Sequence, residues 1–298
     1  MIQKKSRYLF KPAFTLLEIV FVIVIMGILG KFGVELFAKA YENYIFTKIN
    51  NKLQNQSGTA VEFIAKRLSY RIPDSVIGRE NATNYNGIQE LDSDEDYKIL
   101  EWVSTDIDGW RGISSPYWSG IADLNASSAT HITTPDTNIS AIDSVISTLS
   151  YSDSSINDAA IYFVGSNSDV QTGYGWQGSV TLSGVGAAMH PITAASDNNL
   201  SANFAGVDLY EYYKLAWTAN AIVLEDDNKG NETYHLVFYY DYQPWNNQTY
   251  TNGKSATIME NVSTFQFIGI GSMIKVQVCV KSELTNGAHA ICKEKTVF

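Results

Sequence analysis

From Phe14 to Gly30 this 298-residue chain is apolar or small at every position except Thr15 and Glu18. No other stretch limits the fold as strongly. At a helical rise of about 1.5 Å per residue the run spans roughly 25 Å, near the short end for a helix that crosses a bilayer. Lys4, Lys5, Arg7 and Lys11 precede it with no acid among them, which predicts a cytoplasmic position for that end. A secretory signal would be cut after its apolar core, yet no small-x-small site follows Gly30, so the apolar segment should remain in the mature protein. Glu18 argues against a plain anchor. An acid inside a membrane segment costs on the order of 3 kcal/mol, so it usually has a partner and a task.

The periodicity does not stop with the apolar run. Val34, Phe37, Tyr41, Ile45, Ile49 and Leu53 recur at three- and four-residue spacing, Val61, Ile64, Leu68 and Ile72 resume the pattern, and Pro73 closes it. The patches Asn50-Asn51 and Gln54 to Gly58 are polar and weak in helix propensity, and a bend is expected there. A helix continuous from Phe14 to Ile72 would measure roughly 90 Å. Its second half carries an apolar stripe with Lys48, Lys52, Lys66 and Arg67 mostly off it, which predicts packing against the domain that follows.

Ala13-Phe14-Thr15-Leu16-Leu17-Glu18, set between a basic leader and an apolar helix, resembles the class III leader of type IV prepilins and type II secretion pseudopilins. The resemblance covers about thirty residues. It implies that a prepilin peptidase cuts between Ala13 and Phe14 and methylates the new Phe14 amine, although Ala13 stands where the family usually has Gly. It also implies that Glu18, as the acidic fifth residue of the mature chain, pairs with the terminal amine of a neighbouring subunit during filament assembly. The implied fold class is α+β. Residues 1–13 would be the leader, 14–73 the N-terminal helix with 14–30 in the membrane, and 74–298 a β-rich pilin-like globular domain in the periplasm. The size of that domain, Arg67 to Ser75, and Asn261 to Phe267 are similar to J-class minor pseudopilins and W-type minor pilins. Such subunits prime or cap a pseudopilus or pilus. The implied partners are other pilin or pseudopilin subunits, the prepilin peptidase and the inner membrane.

Past the helix, Ile99 to Val103 reads as a strand and Ser140 to Leu149 as a short helix. Strands are also predicted at Ala159 to Val164, Ala219 to Glu225, Thr233 to Tyr240, Val262 to Ile270 and Met273 to Val280. Glu225 to Asn231 has turn chemistry and should join Ile222-Val223-Leu224 to Leu236-Val237-Phe238 in a hairpin. Gly165 to Asn203, rich in Gly, Ser and Ala, reads as long surface loops. Asp92, Asp94 and Asp96 alternate at a spacing compatible with calcium. The Gly and terminal Glu of an EF-hand are missing, so a solvated acidic loop is expected.

Little in the chain recommends an enzyme. His131, His190, His235 and His289 are scattered and none has metal-ligand spacing. There is no nucleophile elbow, phosphate loop or dinucleotide fingerprint, so no cofactor is expected. Loss of the four cations before Phe14 takes the formal charge from −10 to −14, and so acidic a domain lacks the footprint for direct nucleic-acid binding. Both cysteines fall in the part expected to be exported, where a disulfide persists. Met273 to Lys281 alternates, Thr285-Asn286-Gly287 offers a turn and Ala290 to Lys293 returns. A Cys279–Cys292 bridge there would close a loop of about fourteen residues, worth on the order of 3 kcal/mol; two unpaired buried thiols are the alternative. Alternation places Cys279 with Lys275, Gln277 and Lys281 on the more exposed face. Pilins often carry such a disulfide-bounded C-terminal region. Asn125, Asn138 and Asn199 fit an extended acidic glycosylation pattern, which chance explains better in a chain this rich in Asn and Ser. Two other readings stand beside the filament subunit. One is an adhesin that binds a surface or glycan through loops between Asp106 and Asn203, with Trp110, Trp118 and Trp176 exposed. The other is an anchored periplasmic enzyme or binding protein that only mimics the leader.

Overall fold

The structure, a computed structural model, describes residues 14–91, 97–166, 169–177, 182, 184, 186–227, 233–281 and 290–298. The chain divides into two compact units, the first ending at Lys52 and the second comprising Leu53–Phe298. Helix α1, Leu16–Leu68, begins in the first unit and ends in the second. It starts two residues after Phe14 because Thr15 caps it. Thr15 Oγ1 accepts the Glu18 N–H at 3.3 Å, and the Thr15 carbonyl accepts the N–H groups of Glu18 and Ile19.

Within the first unit α1 is long and apolar enough to cross a membrane, and its most apolar window has no buried residue. Val34, Phe37 and Tyr41 are exposed as well, so the buried stripe begins only at Leu53. In the second unit that stripe is Leu53, Ser57, Ala60, Val61, Ile64, Ala65 and Leu68, one face at a 3.6-residue period. The patch Asn50 to Gly58 stays α-helical, against the expected bend. Its hydroxyls are satisfied one turn back, Ser57 Oγ donating to the Leu53 carbonyl at 2.9 Å and Thr59 Oγ1 to the Asn55 carbonyl at 2.8 Å. The helix ends at Leu68 rather than at Ile72. Arg71 Nη1 closes its C-terminus by donating to the Leu68 carbonyl at 3.0 Å, and the Ile72 N–H pairs with the Val103 carbonyl.

The remaining elements follow in chain order. Strands β1 (Ile77–Arg79), β2 (Tyr85–Gly87) and β3 (Ile99–Ser104) precede helix α2 (Ile107–Arg111). Then come β4 (Asp123–Ser128), β5 (His131–Thr133), helix α3 (Ile139–Leu149), β6 (Ala160–Phe163), β7 (Met189–Ser196) and β8 (Asn199–Ala202). The C-terminal part holds β9 (Tyr213–Ala216), β10 (Thr218–Asp226), β11 (Tyr234–Tyr242), β12 (Lys254–Ile270), β13 (Met273–Lys281) and β14 (Ala290–Val297). They form two antiparallel sheets, with orders β14-β13-β12-β11-β10-β3-β1-β2 and β4-β5-β8-β7-β6-β9. The chain passes from one to the other at buried Trp217, between β9 and β10. The fold is therefore α+β.

Side-chain alternation explains the layering. On β6, Ala160 and Tyr162 join the core shared with Ile99, Val103, Ala221 and Val223 of the larger sheet. Ile161 and Phe163 join the opposite core, with Ile142 and Ile146 of α3. On the outer face of the larger sheet, Leu100, Ile222 and Phe238 stand side by side across β3, β10 and β11. Phe63 of α1 meets Phe238 edge-on at 5.2 Å, and Arg67 covers the same ring at 5.5 Å. Glu62 pairs with Lys295 of the edge strand β14. The second half of the helix thus packs on the domain that follows it, from Leu53 onward. The predicted hairpin is present with its residues in register: Ile222 opposite Phe238, Val223 opposite Val237, Leu224 opposite Leu236.

The segment from Gly165 to Asn203 is not a set of surface loops. It contributes β7 and β8, and it buries Tyr174, Trp176 and Met189 in the core between the sheets. Small residues such as Ala187 and Ala188 are what let the chain pass through that core, so low side-chain bulk here marks close packing.

Candidate functional site

Ala13 lies outside the described residues. Phe14 is exposed, and Glu18 occupies the first turn of α1 with its N–H on the Thr15 hydroxyl. Thr15-Leu16-Leu17-Glu18 has the spacing of a capping box before an apolar run, a signal that the sequence reading passed over. A carboxylate there faces the positive end of the helix dipole, worth about 0.3–1 kcal/mol where it is solvated. Around it the apolar surface is uncovered, with large side chains from Leu16 to Met26 between 83% and 46% exposed.

At the other end of the chain Cys279 and Cys292 are bonded, directly opposite each other on β13 and β14. The bridge sits on the more exposed side of β13, the face of half-buried Lys275, Gln277 and Lys281 and not that of buried Ile274, Val276, Val278 and Val280. Cys292 is exposed, although Cys279 itself is buried. The reason is lateral. Thr264 of β12 flanks Cys279 on one side and Cys292 on the other, so neighbouring strands cover it even though it shares the pleat with Lys275 and Gln277.

The scattered histidines do not converge. His131 Nδ1 lies 2.9 Å from Ser128 Oγ, while His190 is 1% exposed between Phe163 and Phe204 with both ring nitrogens unpartnered. Burial alone pulls the His190 imidazole down to about 4. His289 and the triplet Asp92, Asp94 and Asp96 lie outside the described residues, and among the described residues no three His, Cys, Asp or Glu come together as metal ligands. Asn125 and Asn138 are exposed. Asn138 caps α3 by accepting the Ala141 N–H at 3.0 Å, and Asn199 Oδ1 accepts from Thr133 Oγ1 at 3.2 Å. Of the three tryptophans expected on the surface, Trp118 and Trp176 are buried at 2% and 3% exposure, and only Trp110 is open to solvent.

Trp110 belongs to a cleft that the sequence did not announce. The end of α1, α2, the segment around Gly120 and the start of β9 enclose about 450 Å³. Trp110 packs on Trp118 with ring centroids 4.8 Å apart and the planes tilted by 55°, and Trp118 is held by Asp106, whose Oδ2 accepts its indole N–H at 3.1 Å. Burial pushes the Asp106 carboxyl up to about 6, against the donors from Gly109 and Trp118. Gly120 has φ of +71°, and a Cβ there would come within 3.1 Å of the Trp110 ring. The fold needs glycine at that point.

Comparison with protein-family models, with curated proteins and with solved structures finds no match to this chain.

Proposed function

We propose that the chain is a minor pilin or pseudopilin: a structural subunit, anchored by α1, that primes or caps a filament after prepilin peptidase removes residues 1–13. The observation that carries this reading is the start of α1. An apolar stretch of α1 with none of its residues buried opens with a single carboxylate, Glu18, four residues from the proposed new terminus at Phe14. Apolar surface on all sides calls for lipid or for other helices. A carboxylate in those surroundings calls for a cation, and cleavage before Phe14 creates one on every subunit. Pairing Glu18 with the Phe14 amine of a neighbour offsets the cost of burial and fixes the axial step between subunits. On this reading the second unit, packed on the end of the helix, lies on the periplasmic side and contacts other subunits.

N-terminal mass spectrometry of the full chain, produced with and without a prepilin peptidase, tests the proposal. A terminus at N-methyl-Phe14 only in the presence of the peptidase is the expected result. An intact Met1 terminus under both conditions would reduce the segment to a signal anchor and overturn the reading.

A further inference from the structure

The cleft beside Trp110 has features that filament assembly does not require. Its volume of about 450 Å³ suits a small ligand. Trp110, Ile121, Val164 and Tyr212 at its mouth remain between 39% and 56% exposed, a cluster of large apolar faces that the fold itself leaves in water. The Trp110 ring is nonetheless braced, packed against Trp118 at a 55° tilt and set close to Gly120, and its exposed face offers an aromatic platform.

Two cations, Arg71 and Lys214, line the cleft. Lys214 is half-buried, and among the described residues its ammonium makes no hydrogen bond or ion pair. Arg71, beside it, spends its donors on main-chain oxygen atoms of Leu68, Ser272 and Phe298. Burial first, and then the Arg71 charge, lower the Lys214 ammonium from its ordinary value, while Asp74 opposes them. Asp74 is therefore the acid that partly offsets the Lys214 charge, with no ion pair between them among the described residues. Hydroxyl groups of Ser69, Thr105 and Ser119 line the remaining wall. An aromatic platform, a partly desolvated ammonium with no hydrogen-bond partner among the described residues and a wall of hydroxyl-bearing residues together fit a ring with an apolar face, a carboxylate and several hydroxyls.

We propose that this cleft binds an acidic sugar: a hexuronate unit of a saccharide whose ring lies on Trp110 and whose carboxylate pairs with Lys214. The site is separate from Glu18 and from the helix start, so it stands or falls apart from the filament reading.

The test is tryptophan fluorescence of the full chain in detergent, titrated with trigalacturonate, with neutral maltotriose and with 3-phenylpropionate. Trigalacturonate should give a saturable change that maltotriose matches only at about tenfold or higher concentration, the loss expected when one charge-assisted hydrogen bond is missing. Lys214→Met should weaken trigalacturonate by about tenfold, and Trp110→Ala should remove the response. Ile121→Asp, at an exposed position on the rim, should weaken it similarly by placing a like charge beside the carboxylate, and it keeps the test valid should the tryptophan variant misfold. The proposal is overturned by the absence of saturation in the unaltered protein, by equal affinity for the neutral sugar, or by affinity unchanged in both Lys214→Met and Ile121→Asp. Equal or tighter binding of 3-phenylpropionate would overturn the saccharide and point to an aromatic carboxylate. None of these results alters the terminus found by mass spectrometry.

Discussion

Arg79 Nε lies 3.2 Å from Glu101 Oε1, and the two side chains are 4% and 2% exposed. A second contact, Nη2 to Oε2 at 3.3 Å, makes the pair bidentate across β1 and β3. The guanidinium also donates to the carbonyls of Ala82 and Trp176 and lies 4.5 Å from the centre of the Tyr85 ring. Burial pushes the Glu101 carboxyl up, and Arg79 pulls it back. Breaking such a pair from one side leaves an uncompensated buried charge, which costs about 3–5 kcal/mol. Arg79→Met and Glu101→Leu should each lower stability by about that amount, while the double variant should lose markedly less than the sum. Denaturant unfolding of all four proteins measures the coupling, and strict additivity would refute it.

The Cys279–Cys292 bond joins an edge strand to the sheet, because among the described residues β14 has a strand partner only in β13. Replacing both cysteines by serine should lower stability by about 3 kcal/mol, the loop-closure value for this separation. A reductant should lower the melting temperature of the unaltered protein and leave the double variant unmoved. The Glu62–Lys295 pair also reaches β14, but it is exposed and adds little, so it should not compensate.

Elements whose signal is local could be read without a structure. The hairpin between β10 and β11 was legible from β-branched residues on either side of turn chemistry, and the stripe Val61, Ile64 and Leu68 from helical spacing. The capping role of Thr15 was legible too, had Thr-x-x-Glu been weighed as a helix start as well as a processing motif. What could not be read is non-local. Trp176 is buried because two sheets close over it, and a stretch rich in Gly and Ala offers no periodicity from which to foresee that. The cleft draws Tyr70, Trp110, Ile121, Val164 and Lys214 from five separate segments, and no one of them carries a motif. Cys279 shows the same limit: alternation gave its pleat correctly but not its burial, which depends on the flanking strands.

Two buried groups should set opposite dependences on pH. The His190 imidazole protonates near 4 in the folded chain and near 6.5 when unfolded, so the unfolded state takes up the proton first as pH falls through that window. Stability is then lost, by about 3 kcal/mol at full extent. The Asp106 carboxyl protonates near 6 when folded and near 3.8 when unfolded, so the folded state takes up its proton first and stability is gained, again by about 3 kcal/mol. The two contributions nearly cancel between pH 6.5 and 4. Relative to the unaltered protein, His190→Phe should become more stable on acidification and Asp106→Asn less stable. Unfolding midpoints measured across that range give both slopes, and parallel curves for all three proteins would refute the assignment.

The proposed assembly role of Glu18 separates from the helix cap made by Thr15 by choice of substitution. Thr15→Ala removes the hydroxyl that accepts the Glu18 N–H and should cost the helix about 1 kcal/mol while leaving the carboxylate in place. Glu18→Gln keeps the side-chain shape and hydrogen-bonding reach at the helix start but removes the charge. If the charge pairs with the Phe14 amine of a neighbour, Thr15→Ala should still copurify with partner subunits after peptidase cleavage. Glu18→Gln should be cleaved at the same bond yet fail to copurify, because an unbalanced ammonium in an apolar bundle costs several kcal/mol. Reduced copurification by both substitutions in proportion to lost helicity, followed by circular dichroism, would instead trace the loss to the start of the helix and not to the charge. The readouts divide because capping acts within one chain and needs only an acceptor, whereas the axial step between chains needs the charge.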